Sequence, residues 1–165
     1  MTSILKVDQI QTAAGGVPTA ADLGLNVSGS VLKVSSVKSQ GWVSTSSTSW
    51  TATGLSISYT PLYANSTLVV AVDGGRYWCS SSNVQMNVDL YKNGSTTTSG
   101  LWGAVYTNST MHTTHNFRWE EVAGSTASRT YEVYIQSANA GIITYLNEPS
   151  SGRIPIFLSV TEIAG

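Results

Sequence analysis

The chain has little charge. Lys and Arg together number 8 and Asp and Glu 9 among 165 residues, and charged residues make up 10% of the total, against about 25% in an ordinary soluble domain. Holding a phosphate backbone takes clustered Lys and Arg, and none cluster here, which argues against nucleic-acid binding. Cysteine is nearly absent as well. The single Cys79 excludes an internal disulfide framework and a thiolate metal site within one chain. It stands in "RYWCSSS" as a small strand residue with no base beside it. The 2 histidines, His112 and His115, are three apart, which on a strand puts them on opposite faces and keeps them from sharing one ion. No apolar run approaches the ~18 residues of a membrane span. Asp8, Gln9 and Gln11 fall where a signal peptide would place its apolar stretch, so neither membrane insertion nor an export signal is expected.

Catalytic patterns are missing too. Glu120 and Glu121 are adjacent and point to opposite faces of a strand, unlike two carboxylates that share a reaction. The expectation is one solvated acid and one paired with Arg118 or Arg129. The Gly15-Gly16 and Gly74-Gly75 pairs lack phosphate-loop spacing, and no G-x-S-x-G occurs. No catalytic, cofactor-binding or metal-ligating residue is assigned, and a non-enzymatic protein is expected.

Hydroxyls and small residues take the place of charge: 25 Ser, 20 Thr and 15 Gly. Disorder would require low hydrophobicity or high net charge, yet 41% of the chain is apolar, the net charge is −1, and there are 5 Trp and 8 Tyr. Thr and aromatics favour strands, so a folded β protein with hydroxyl-rich outer faces follows. Near-neutral surfaces also tend to associate, which points to an assembly subunit.

From residue 28 onward the period is two. In "VQMNVDLY", Val84, Met86, Val88 and Leu90 share one face and Gln85, Asn87, Asp89 and Tyr91 the other. That is the pattern of a half-buried strand. Asn93-Gly94 follows as a tight-turn pair with positive φ. Leu55, Ile57 and Tyr59 alternate with serines before Pro61, and Leu68, Val70 and Val72 form another inward row. Tyr131, Val133 and Ile135 oppose Glu132, Tyr134 and Gln136, and Ile154, Ile156, Leu158 and Val160 close the chain as a buried row. Weaker strands are expected near 31–37, 101–106, 115–122 and 141–147. About eight or nine strands between Gly-, Asn-, Ser- and Pro-rich turns predict an all-β, jelly-roll-like β-sandwich over residues 28–165.

Residues 1–27 differ. "ILKVDQIQ" sets Ile4, Lys6, Asp8 and Ile10 against Leu5, Val7, Gln9 and Gln11, so neither face is purely apolar. An exposed tail has no use for Ile4, Leu5, Val7 and Ile10. They are expected to make an extended N-terminal arm that attaches or assembles by pairing with other chains. The Phe157 region, apolar on both faces, fits a strand between the core and a neighbouring subunit.

The aromatics are the remaining signal. Trp78, Trp102, Tyr106 and Trp119 lie near strand ends amid Asn, Ser and Thr. Flat rings with amide and hydroxyl neighbours suit a neutral sugar, which stacks through its C–H face and hydrogen-bonds at its rim. The competing assignment is core or interface filling, where Trp and Tyr are also enriched.

The stretches "SILKVDQIQTAAGGVPTAADLGLN", "TSWTATGLSISYTP", "VDLYKNG", "SRTYEVYIQSANAG" and "FLSVTEIAG", in that order, resemble small tail-fibre-like virion structural proteins of tailed, marine-type bacteriophages. The resemblance implies a homotrimer assembled in the host cytoplasm and carried on the virion. Its arm would meet other virion proteins and its β domain would face outward toward host surface glycans. A long repeat shaft, expected of a full-length fibre, is absent. Two other readings stand beside this one, a decoration protein of the capsid head and a free carbohydrate-binding module of a secreted enzyme.

Overall fold

A computed structural model describes residues 28–81, 84–97, 103–107 (backbone only), 112–147 and 153–165. The arm with Ile4, Leu5, Val7 and Ile10, and Trp102, lie outside the described residues. What is described is all β, in twelve strands: β1 (Val31–Ser39), β2 (Val43–Thr45), β3 (Thr51–Tyr59), β4 (Thr67–Gly74), β5 (Tyr77–Cys79), β6 (Val84–Lys92), β7 (Ser95–Thr96), β8 (Gly103–Thr107), β9 (Phe117–Val122), β10 (Arg129–Ser137), β11 (Thr144–Leu146) and β12 (Ile156–Ile163). No helix among the described residues is long and apolar enough to cross a membrane.

Two larger sheets form a sandwich. One has the order β1-β12-β4-β9; the other runs β3-β10-β6, with β8 and the short β7 both pairing with β6. A third sheet is β2-β11-β5. Take β1, β3, β4, β6, β8, β9, β10 and β12 in chain order. The first then pairs with the last and the second with the seventh, while the fourth pairs with the fifth, all antiparallel. The third and sixth, β4 and β9, pair likewise. The four nested pairs alternate between the two sheets, as if one long antiparallel hairpin had been rolled around a core.

The period-two rows become that core. Leu68, Val70 and Val72 of β4 and Ile156, Leu158 and Val160 of β12 join Leu55, Ile57 and Tyr59 of β3, Val84, Met86, Val88 and Leu90 of β6, and Tyr131, Val133 and Ile135 of β10 in one buried cluster. A slip of one residue in any ladder would turn such a row to solvent, so burial sets the register. The Asn93-Gly94 turn is as expected: φ is 51° and 78°, and Lys92 pairs directly with Ser95, the two-residue hairpin that positive φ at both positions permits.

Two expectations are corrected. Ile154 is not in the buried row but exposed; Pro155 has no N–H to give the ladder, and β12 starts only at Ile156. The short β2, β5 and β7 add strands to the expected set, because two or three residues carry no readable period.

Gly74 shows where the backbone is tightest. Its φ is +86°, and a Cβ there would stand 2.4 Å from the Pro155 carbonyl oxygen. Gly141 has a similar φ of +81° but open space around it. Gly74→Ala is therefore expected to cost about 2–4 kcal/mol, adding steric displacement to strain, and Gly141→Ala about 1 kcal/mol from strain alone. Urea midpoints of the two variants check this ordering.

Candidate functional site

Alternation in β5 buries Tyr77 and Cys79 and turns Trp78 outward, half-buried. Trp78 pairs in register with Tyr145 of β11, which in turn pairs with Ser44 of β2. The Trp78 and Tyr145 rings lie 4.9 Å apart at 37°. The exposed His112 also stacks against Trp78, at 6.0 Å and 21°. Ser80 borders the group and ties it to the loop before β11: its N–H donates to the Ile143 carbonyl at 2.8 Å, and its hydroxyl accepts from the Ile143 N–H at 3.1 Å. The result is a cluster of three packed rings bordered by the Ser80 hydroxyl, apolar surface of the kind a sugar's C–H face packs against.

Of the other sequence-predicted contacts, Trp119 is not brought to this surface, while Trp102 and the Tyr106 side chain lie outside what is described. Trp119, on the inward side of β9, packs against the core. It meets Tyr131 edge-on at 6.1 Å, with Lys92 Nζ 5.9 Å from its ring centre. Tyr106 of β8 stands opposite Gln85 of β6, in the other main sheet. Nothing in the sequence placed Tyr145 or His112 at a binding surface. The anticipated strand at 141–147 contains Tyr145 between buried neighbours, but its cross-strand position beside Trp78 comes only from the fold.

A second aromatic group lies on the outer face of the β3-β10-β6 sheet. Tyr91 and Tyr134 stack at 3.9 Å, and Trp50 meets Tyr91 edge-on at 6.3 Å. Beside them Gln85 donates to Asn87 at 2.7 Å, Asn87 donates to Gln136 at 3.0 Å, and Gln136 donates to the Thr48 carbonyl. That chain of amides fastens the loop before β3 to the sheet. Asp89, on the same face, is buried. Desolvation pushes its carboxyl above its ordinary value, against the lowering effect of hydrogen bonds from Leu90 and Thr96.

The remaining acids hold the sandwich together. Glu162 of β12 is fully buried. It accepts from the Tyr59 hydroxyl at 2.8 Å, the Leu62 and Tyr63 N–H groups at 2.8 and 3.1 Å, and the Ser66 hydroxyl at 2.6 Å. Burial alone would raise its pKa, but these donors together hold it below the ordinary carboxylate value. Glu121 of β9 is the ion-paired member of its pair. It bonds Lys92, Arg129 at 3.0 Å and the Tyr131 hydroxyl at 2.5 Å, while Glu120 is exposed. Desolvation again opposes the donors and again loses to them, leaving Glu121 lowered. His115 packs edge-on against Tyr77 at 6.3 Å, away from His112, and desolvation lowers its pKa. Among the described residues no three His, Cys, Asp or Glu side chains gather to hold a metal ion.

Fold and site together define a β-sandwich with an aromatic, hydroxyl-edged surface on its small third sheet. Compared with known proteins, the chain matches no family model and no curated protein. Its functional reading therefore rests on its own residues.

Proposed function

We propose that this chain is a non-enzymatic structural protein of a bacteriophage virion, a tail-fibre-like homotrimer displayed on the particle that touches host surface glycans. The carrying observation is the outer face of the β1-β12-β4-β9 sheet. Val31 and Val34 are each 60% exposed there, Val122 65% and Phe157 42%. Strands that already bury one face in the core do not gain from valines on the other unless something covers them, and apolar patches of this kind mark contact surfaces. With a net charge of only −1, copies of the chain have little repulsion to oppose that contact.

Two further features support the reading. The nested strand pairing is compatible with a jelly roll, an architecture shared by viral capsid and lectin domains. The Trp78, Tyr145 and His112 surface offers the stacking face a sugar needs. The assembly test is mass photometry at micromolar concentration, where a trimer is expected; a stable monomer overturns the reading. Electron microscopy of particles lacking the gene is expected to show one appendage missing. For the glycan contact, Trp78→Ala is expected to weaken adsorption to host cells about tenfold or more, as loss of a central aromatic anchor does. Unchanged adsorption removes this surface from the function.

A further inference from the structure

The β9 strand ends its sheet. One edge pairs with β4, and no described strand pairs with the other. An open edge is a row of unmet N–H and C=O groups and a ready template for an added strand. The outward side chains of β9 are Arg118, Glu120 and Val122, all exposed. Across the β4 ladder they face Ala71, Val69 and Thr67, so neither charge meets its opposite there. The ion pairs of Glu121 with Lys92 and Arg129 involve neither Arg118 nor Glu120. Arg118 and Glu120 instead flank a shallow groove of about 340 Å³ floored by small residues such as Ala71 and Ser159.

An antiparallel strand that completes this edge would place an apolar residue opposite Val122, a cation opposite Glu120 and an anion opposite Arg118. Read from its own N-terminus, the pattern is apolar-x-cation-x-anion. Of the 8 Lys and Arg in the chain, only Lys6 has an apolar residue two before it and an acid two after it, in Ile4-Leu5-Lys6-Val7-Asp8. No segment fits the reverse pattern that a parallel strand would need. We infer that residues 4–10 of a second copy of this chain add to the free edge of β9, with Ile4 opposite Val122, Lys6 opposite Glu120 and Asp8 opposite Arg118. Val7 then falls opposite Trp119 on the core side. Main-chain bonds supply the adhesion, and the cross-strand pairs supply the register.

Length permits a neighbouring copy as well as the chain's own edge, and the assembly proposed above selects the neighbour. The chain enters β1 at the far edge of the same sheet, three strand spacings or about 14 Å from β9. Residues 11–27 can span about 55 Å when extended, several times what crossing their own sheet requires. Each copy then gives one strand and receives one, a head-to-tail contact that closes into a ring. The inference rests on the assembly proposed above and names the contact that builds it.

The test co-expresses two full-length versions of the chain, one carrying Lys6→Cys and the other Glu120→Cys, followed by mild oxidation. Glu120 is exposed, and the native Cys79 is buried. A disulfide-linked pair is expected as the main product on a non-reducing gel. Val7→Cys with Glu120→Cys, on opposite faces, is expected to give at most a tenth as much. Equal yields from the two pairs overturn the register. A single chain carrying both Lys6→Cys and Glu120→Cys is expected to form linked oligomers; closure within one chain overturns the second copy as occupant. Mass photometry of the unoxidised protein separates the two levels. A trimer without cross-linking ends this inference and leaves the assembly standing, whereas a monomer removes the assembly itself. Lys6→Glu is expected to lower the trimer fraction several-fold, and adding Glu120→Lys to restore it.

Discussion

Glu162→Ala is expected to be the most damaging single substitution on the surface-distant side of the sandwich, costing about 3–5 kcal/mol. The carboxylate belongs to β12 in one sheet. Its donors are Tyr59, the last residue of β3 in the other sheet, and the segment from Leu62 to Ser66 that carries the chain across to β4. Removing it leaves those donors facing a cavity where water replaces only part of the lost bonding. At roughly 3 °C per kcal/mol for a domain of this size, the melting temperature should fall by about 10–15 °C. Glu162→Gln keeps the volume but turns an amide donor toward other donors, and it should recover only part of the loss. Thermal unfolding followed by circular dichroism checks both variants. A loss under 1 kcal/mol for the alanine variant would show that the crossover holds its shape without the carboxylate.

Arg129→Met is expected to follow closely, at about 3–4 kcal/mol, because the guanidinium is 5% exposed and joins several groups at once. It donates to Glu121 at 3.0 Å and to the Ala123 and Ser125 carbonyls at 2.9 Å each. Its loss strips Glu121 of one of two cations and frees the turn between β9 and β10. The double change of Arg129→Met with Glu121→Leu should cost less than the sum of the two singles, since the buried guanidinium and its carboxylate then leave together and only the more exposed Lys92 loses a partner. Urea unfolding of the four proteins measures that coupling.

Both carboxylates also predict an acid limit. Glu121 and Glu162 are held below their ordinary value of 4.5 in the folded protein. Their contribution is therefore complete above that value, where the unfolded chain's carboxylates are also ionised. It declines as pH falls through the lowered folded values. Stability should be flat from pH 7 to about 5 and drop steeply below 4. Glu162→Gln should show a shallower decline, and an unchanged slope would remove this carboxylate from the acid response.

The alternation that predicted β3, β4, β6, β10 and β12 was readable because each of these strands alternates core-facing apolar side chains with mostly polar or less buried ones, although at Asn87 and Asp89 of β6 the outer residues are buried as well. The same alternation runs on to Glu162 and Glu121: after Ile156, Leu158 and Val160 the next inward position is 162, and after Phe117 and Trp119 it is 121. A carboxylate in an inward register is a legible anomaly. Its meaning is not legible, since the hydroxyl that receives Glu162 lies 103 residues away at Tyr59. Trp78 shows the same limit. Its outward direction follows from burial of Tyr77 and Cys79, whereas its neighbour Tyr145, though within the strand expected near 141–147, comes beside it only because β11 pairs with β5.

Local chemistry alone therefore settled a great deal: all-β structure, the inward rows, the Asn93-Gly94 turn, and the outward face of each long strand. These depend on the two-residue repeat of a pleated chain and on the φ range of particular residues, and both act over a few positions. The nesting of the strands, the bonding of Glu162 and Glu121, the three-ring surface around Trp78 and the open edge of β9 were decided only in three dimensions. They depend on which distant strands share a ladder, and that choice is made by how all the inward rows fill one common core.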